Sequence, residues 1–310
     1  MKKLLWLLLG VFVVVNGAFL LTLTPEVLPS NPGVRFAAPP PAQPPAGMTL
    51  AAVEAGTLGS IEAQAFRGGS FAMRDFNMGG ILVRHPQGTL LFDTGFGRDV
   101  EAHFKTAPRL MQLTAKLTPG APVADQLKAA GVDLASLRIF ITHAHWDHVS
   151  GIPDFKGTPV WLPQAELDFI RSGARPAKLI ASFPDVAYRP YTFEGGPYLG
   201  YDKSFDVFGD GSVVLVPAPG HTPGEIVAFI NTPDGKRYAL VGDIVWFADA
   251  IDIPAQRPLV SRWLVDNDAD GNRAQIVKLH ELKQALPGLI VVPAHDRRVW
   301  DALPKLVKAS

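Results

Sequence analysis

A chain of 310 residues, 47% of them hydrophobic, is long enough for one large globular domain and lies far from the disordered class. Lys+Arg and Asp+Glu both number 29, so there is no basic excess to neutralise phosphates, and nucleic acid is not expected as the main partner. With no cysteine, disulfides, thiolate metal sites and a cysteine nucleophile are excluded, and any metal must rest on His and carboxylate ligands.

Lys2 and Lys3 precede an apolar run from Leu4 to Leu23, interrupted at Asn16, Gly17 and Thr22. At 1.5 Å rise per helical residue, about 20 residues cross roughly 30 Å of hydrocarbon. The run reads as a retained membrane anchor. The rival is a cleaved signal peptide ending near Ala18, where Asn16 stands in place of the small residue such a site prefers. Either one carries the rest of the chain into the cell envelope, anchored to the inner membrane with the domain outside the cytoplasm or exported to the periplasm. Residues 1–24 are therefore assigned to this anchor or signal peptide.

From Pro25 to Gly47 there are eight prolines, including Pro39-Pro40-Pro41 and Pro44-Pro45. Proline lacks the amide donor and favours extended geometry, so residues 25–47 are expected to be a semi-rigid linker holding a domain off the membrane. Residues 48–310 form the globular part. Ile81-Leu82-Val83 and Leu90-Leu91-Phe92 flank Pro86-Gln87-Gly88 as a hairpin. Asp125 to Ala130 reads as a helix stopped by Gly131, and Arg138 to Thr142 as a buried strand. Val213–Val216, Glu225–Ile230 and Tyr238–Val241 are further strands, with Pro233-Asp234-Gly235 turning between the last two. An amphipathic helix from Gln275 to Leu286 precedes a buried strand, Leu289–Val292. Hairpin runs with helices in each half suggest two sheets face to face with helices outside, an αββα four-layer sandwich of the α/β class.

The strand ending at Thr142 feeds into His143-Ala144-His145-Trp146-Asp147-His148, four potential ligands within six residues. Imidazole mixed with carboxylate suits borderline metals such as zinc. A second ion about 3.5–4 Å away needs a bridging oxygen and ligands from elsewhere. Three later segments end strands with one ionisable residue each: Pro219-Gly220-His221-Thr222-Pro223-Gly224, Val241-Gly242-Asp243 and Pro293-Ala294-His295-Asp296. Carboxyl ends of strands are where open α/β folds place their sites. His85, His103 and His280 lie outside these segments and read as ordinary surface or core histidines.

The order His-x-His-x-Asp-His, Gly-His-Thr-Pro-Gly, Gly-Asp and His resembles the metallo-β-lactamase superfamily, and Phe92-Asp93-Thr94-Gly95 is similar to that family's early aspartate motif. The match runs over about Gly79 to Asp296. The resemblance implies a metallo-β-lactamase fold and two divalent metal ions, with zinc expected. His143, His145 and His221 would hold the first ion, Asp147, His148 and His295 the second, and Asp243 would bridge them. Asp93 matches the aspartate that orients a ligand histidine.

The resemblance is nearest to the N-acyl-homoserine lactonase branch, whose members share the Pro-Gly-His-Thr-Pro-Gly turn and end in a His-Asp pair like His295-Asp296. Antibiotic-hydrolysing members generally lack the bridging aspartate. The lactonases carry, three residues after it, a tyrosine that contacts the substrate carbonyl; here that position is Trp246, an indole with one donor and no acidity near neutral pH. The expected activity is hydrolysis of a small-molecule lactone or carboxylic ester with an apolar group. A hydroxide held between the ions would attack the carbonyl, and Asp147 would shuttle a proton to the leaving oxygen. Asp147 and Asp243 are thus the candidate catalytic residues and Trp246 a candidate substrate contact. The alternatives are a glyoxalase II-like thioesterase, a phosphodiesterase, a β-lactamase, or a non-catalytic envelope metal-binding protein. Apolar residues available for a pocket wall are Phe96, Phe104, Leu110, Met111, Leu113 and Leu117 after Asp93, Phe183, Tyr188, Tyr191, Phe193, Tyr198 and Tyr201 in an insertion, and Trp246, Phe247 and Trp263 around Asp243. Most such aromatics are expected in the core.

Overall fold

The structure, a computed structural model, describes residues 20–307 except 32, 34 and 39, together with isolated positions 6, 10 and 17. A first sheet contains seven strands: β1 (Thr49–Ile61), β2 (Met73–His85), β3 (Gly88–Phe92), β4 (Lys116–Pro119), β5 (Leu137–Phe140), β6 (Val160–Pro163) and β7 (Tyr188–Tyr191), in the spatial order β4-β1-β2-β3-β5-β6-β7. A second contains five: β8 (Phe205–Asp206), β9 (Val213–Pro217), β10 (Ile226–Asn231), β11 (Arg237–Leu240) and β12 (Leu289–Val292), in the order β12-β11-β10-β9-β8. The hairpin read around Pro86 joins β2 to β3, with Val83 opposite Leu90. β3, β5, β6 and β7 run parallel, as do β11 and β12.

Side-chain alternation explains the layering. Neighbouring residues on a strand point to opposite faces, and both faces here are apolar. Val83, Leu90, Phe92 and Phe140 of the first sheet pack with Leu215, Ala228, Ile230 and Leu240 of the second. Their strand neighbours Leu82, Leu91 and Ile139, and Val216, Val227 and Phe229, belong to a second core shared with the helices. Leu90 and Leu91 are both fully buried, each worth about 1.5–3 kcal/mol in transfer terms. The result is the four-layer sandwich expected from the strand pattern.

The helices are α1 (Val100–His103), α2 (Arg109–Thr114), α3 (Val123–Ala129), α4 (Trp146–Val149), α5 (Gln164–Arg171), α6 (Lys178–Ala181), α7 (Asp249–Asp252), α8 (Leu259–Val265), α9 (Ala269–Ala285) and α10 (Arg297–Asp301). The α9 helix begins six residues before the expected Gln275. Its first turn is polar and shows no apolar stripe, but the Asp268 carboxylate accepts from the Asp270 and Gly271 amides and caps it. The longest strands are β1 and β2, at 13 residues each. Nothing local marks β1 as a strand, because its Ala- and Gly-rich sequence lacks a β-branched run; pairing with β2 and β4 supplies its stability instead.

The proline-rich stretch, mostly exposed, touches the domain at a few points. Leu28 is 1% exposed and its amide donates to the Pro254 carbonyl at 2.7 Å, while Gln43 donates to the Asp210 carbonyl. Phe36 packs on the core. Irregular backbone needs only a few such anchors to be held, and its proline content does not forbid them. The apolar run read as an anchor or signal peptide lies outside the described residues apart from isolated positions and its end. Among the described residues no helix is long and apolar enough to cross a membrane.

Candidate metal centre

Each of the seven expected ligands follows the carboxyl end of a strand. Past β5 the chain presents His143 and His145, then turns into α4 with Asp147 and His148. His221 follows β9, Asp243 follows β11 and His295 follows β12. Two positions need glycine for this. Gly220 has φ +155°, and a Cβ there would lie 2.3 Å from the Asn272 amide nitrogen of α9. Gly242 has φ +51°, and a Cβ there would sit 2.8 Å from a Glu225 oxygen.

The structure brings the seven residues into two groups, His143, His145, His221 and Asp243, and Asp147, His148, Asp243 and His295. Asp243 belongs to both, and its two oxygens divide between them. Oδ2 lies 3.5 Å from His221 Nε2 and 3.9 Å from His143 Nε2, whereas Oδ1 lies 2.9 Å from His295 Nε2 and 3.3 Å from His148 Nε2. Asp147 Oδ2 is 3.4 Å from His295 Nε2. His85, His103 and His280 join neither group; each has a local partner, in Asp210, Ser150 and the Ile251 carbonyl respectively.

The donor set fits metal. Among the described residues, the Nε2 atoms of His143, His145, His148 and His221 and Oδ1 of Asp243 are buried without hydrogen-bond partners. Leaving polar atoms so is costly unless something else engages them. Burial, reinforced by neighbouring imidazoles, lowers the pKa of His143 and His145 far below the ordinary value, and burial lowers that of His221. These three are neutral imidazoles, the form that binds metal. In the other group burial opposes the charge of His148 and His295. The carboxylates around them, Asp93, Asp243 and Asp147 at His148 and Asp243 and Asp147 at His295, outweigh it and raise both pKa values. A buried excess of carboxylate demands positive charge, which a divalent ion supplies.

The opposite ring nitrogens are tied down. Asp93, a non-glycine residue at φ +59°, accepts from His148 Nδ1 at 2.8 Å and also from the Thr142 amide and hydroxyl. His221 Nδ1 donates to Asp266 at 2.8 Å, and His295 Nδ1 to the Asn77 carbonyl at 2.8 Å. Partners of this kind fix the tautomer and the ring plane.

Four charged residues behind the ligands carried no sequence signal. Glu166, fully buried, accepts from the Ala144 amide, the Thr222 hydroxyl and the Gly224 amide, so it ties the His143–His145 loop to the His221 turn. Burial pushes its pKa up to about 7 against those three donors. Glu225 accepts from the Asp243 amide at 2.8 Å, and burial together with Asp243 holds its pKa well above the carboxylate range. Arg257, 1% exposed, pairs with Asp266 at 2.7 Å and donates to the Ile244 carbonyl.

The Trp246 Nε1–H donates to Asp243 Oδ2 at 2.8 Å, so its one donor is engaged by the shared ligand. The ring still lines the cavity beside the two groups, whose volume is about 290 Å³. His145, Asp147, Asp243 and His295 face this cavity, and Leu58, Phe76, Met78, Met111 and Trp263 supply apolar wall. Of the candidate wall residues only Met111, Trp246 and Trp263 line it. Phe96 and Phe104 pack on Trp146, and Tyr198 and Tyr201 on Phe229. β1 and β2 contribute Leu58, Ser60, Phe76 and Met78, and the segments around α2, Arg175 and α8 complete the wall.

Residues 81–295 match the Metallo-beta-lactamase superfamily. A probable metallo-hydrolase of Mycobacterium tuberculosis is 31% identical over 239 residues, covering 70% of this chain and 73% of that one. N-acyl homoserine lactonase AttM of Agrobacterium fabrum is 24% identical over 189 residues, covering 54% and 65%. A solved N-acyl homoserine lactone hydrolase with N-hexanoyl-L-homoserine at its catalytic metal centre superposes with a TM-score of 0.66 at 19% identity, over 83% of this chain and 96% of that chain. AidC, a dizinc quorum-quenching lactonase, gives 0.52 at 18% identity over 89% and 98%. The chain belongs to the metallo-β-lactamase superfamily and is a metal-dependent hydrolase.

Proposed function

We propose that the protein opens lactones or cleaves related carboxylic esters carrying an apolar group, using two divalent ions, zinc by preference. The observation that carries this reading is the position of the two ligand groups at the base of a largely apolar cavity. His143, His145 and His221 would hold one ion, Asp147, His148 and His295 the other, with one Asp243 oxygen turned to each group. Ions held there supply Lewis acidity and lower the pKa of water toward neutrality. Phe76, Met78, Met111 and Trp263 bind the apolar part of the substrate and exclude water from the carbonyl. Asp147 faces the same cavity and passes a proton to the leaving oxygen. The superfamily's lactonase members support this choice of substrate, as does the His295-Asp296 ending.

The N-terminal apolar run supports a place in the cell envelope, held at the membrane. The full chain should then pellet with membranes and resist carbonate extraction.

A panel of lactone, carboxylic ester, thioester, phosphodiester and β-lactam substrates tests the activity on the metal-loaded enzyme. Lactone or ester turnover is expected. Cleavage of thioesters or phosphodiesters alone would overturn the substrate class and leave the metal site standing. Bound metal with no turnover on any member would favour a binding protein.

A further inference from the structure

Most large apolar side chains of a soluble domain are buried, and those left exposed are scattered singly. Here four of them cluster at the cavity mouth. The α2 and α8 helices both contribute cavity wall, through Met111 and Trp263. The same two helices leave Leu110, Leu113, Leu259 and Trp263 exposed, Trp263 at 81%. Lys105, Arg109 and Arg175 are exposed on the segments around that mouth, and their side chains form no ion pair among the described residues.

The path of the N-terminal segment gives this face an occupant. Glu26 accepts from Gln256 Nε2 at 3.0 Å, Leu28 donates to the Pro254 carbonyl, and Arg262 of α8 donates to Gln256 Oε1 at 2.8 Å. The chain is therefore pinned beside α8 by residues 26–28, before most of the proline-rich stretch begins. Only Thr24 and Pro25 lie between Leu23, the end of the apolar run, and Glu26. At roughly 3.5 Å per extended residue the three steps from Leu23 to Glu26 reach about 10 Å. If the run lies in a bilayer, the domain cannot stand away from it, and the side held close is the one carrying α8.

We propose that the rim formed by Leu110, Leu113, Leu259 and Trp263 docks into an anionic lipid surface, so that the cavity opens onto the bilayer and takes substrate from it. Tryptophan and leucine with flanking lysine and arginine are the composition that settles at the headgroup boundary. The proposal rests on the envelope placement given above.

The cysteine-free chain allows a clean test. Leu113→Cys, Leu259→Cys and, far from the mouth on the β10–β11 turn, Lys236→Cys are each labelled with an environment-sensitive fluorophore. The full-length protein is then placed in phosphatidylcholine–phosphatidylglycerol vesicles, and pelleting is followed in parallel. The expected result is a shift to shorter wavelength and quenching by lipid-borne quenchers at 113 and 259, with 236 unchanged. Three water-like labels on protein that pellets would overturn the docking while sparing the anchor. The shift at 113 and 259 without vesicles would also overturn it, because a second copy would then cover the rim. The shift with vesicles in protein that fails to stay on them after a salt wash would uphold the docking and defeat the anchor.

Discussion

The indole N–H of Trp246 donates to Oδ2 of Asp243, the carboxylate shared by the two ligand groups, at 2.8 Å. Oδ2 is the oxygen turned toward His143 and His221, so the hydrogen bond orients the shared ligand and limits how far it can rotate. The cation of Arg257 lies 4.9 Å over the same indole ring and holds it from behind.

Loss of that hydrogen bond should act on metal retention. Trp246→Phe keeps an aromatic wall and removes the donor, so metal affinity should fall about 10–100-fold, the usual effect of losing a partner of a ligand. Turnover at saturating metal should change little. Chelator competition followed by assay at excess zinc separates the two effects. An unchanged affinity with turnover reduced tenfold would mean that the indole serves the substrate.

Metal content follows from the ligand count. Elemental analysis of the zinc-loaded protein should give about two ions per chain. His145→Ala should abolish activity and remove much of the metal. His280→Ala should alter neither, because His280 contacts only the Ile251 carbonyl among the described polar groups. Fewer than one ion per loaded chain would sink the dinuclear reading.

The Arg257–Asp266 pair is nearly inaccessible, each side chain being 1% exposed. Arg257→Met leaves Asp266 buried without its cation and should cost about 3–5 kcal/mol in urea unfolding. Adding Asp266→Asn should recover part of that loss while metal binding stays weak, because His221 has lost its carboxylate. A single-variant cost under about 1 kcal/mol would show that the pair contributes little.

Glu166 sets a pH dependence of stability. Its pKa rises from 4.5 to about 7 on folding, so between those values the folded state binds more protons than the unfolded state. Its contribution is therefore greatest below pH 4.5 and is lost as pH rises toward 7, by about 3 kcal/mol in total. Glu166→Gln removes the titration. The stability difference between wild type and variant should shift against the wild type between pH 4.5 and pH 7.5, read by urea unfolding of the metal-free protein. A difference that is flat across this range would show that the three donors keep the carboxylate ionised throughout.

The seven candidate ligands stood out along the chain, and their division into two groups came from the resemblance to the superfamily. The residue types able to hold metal are few, and each stood at the end of an apolar run whose strand character was local. The hairpin at Pro86, the strands after Ser212 and the layered architecture were legible for the same reason, since alternation and turn chemistry act over a handful of residues. Tertiary structure alone decided the rest. Glu166, Glu225 and Asp266 look like any surface carboxylate until distant segments close over them and remove water, as the separation of 56 positions between Glu166 and Thr222 illustrates. The partner of Trp246, the cavity wall built from β1 and β2, and the pinning of residues 26–28 beside α8 likewise depend on contacts across the fold. A side chain's type is written in the sequence, but the group it faces and the dielectric around it are set by packing.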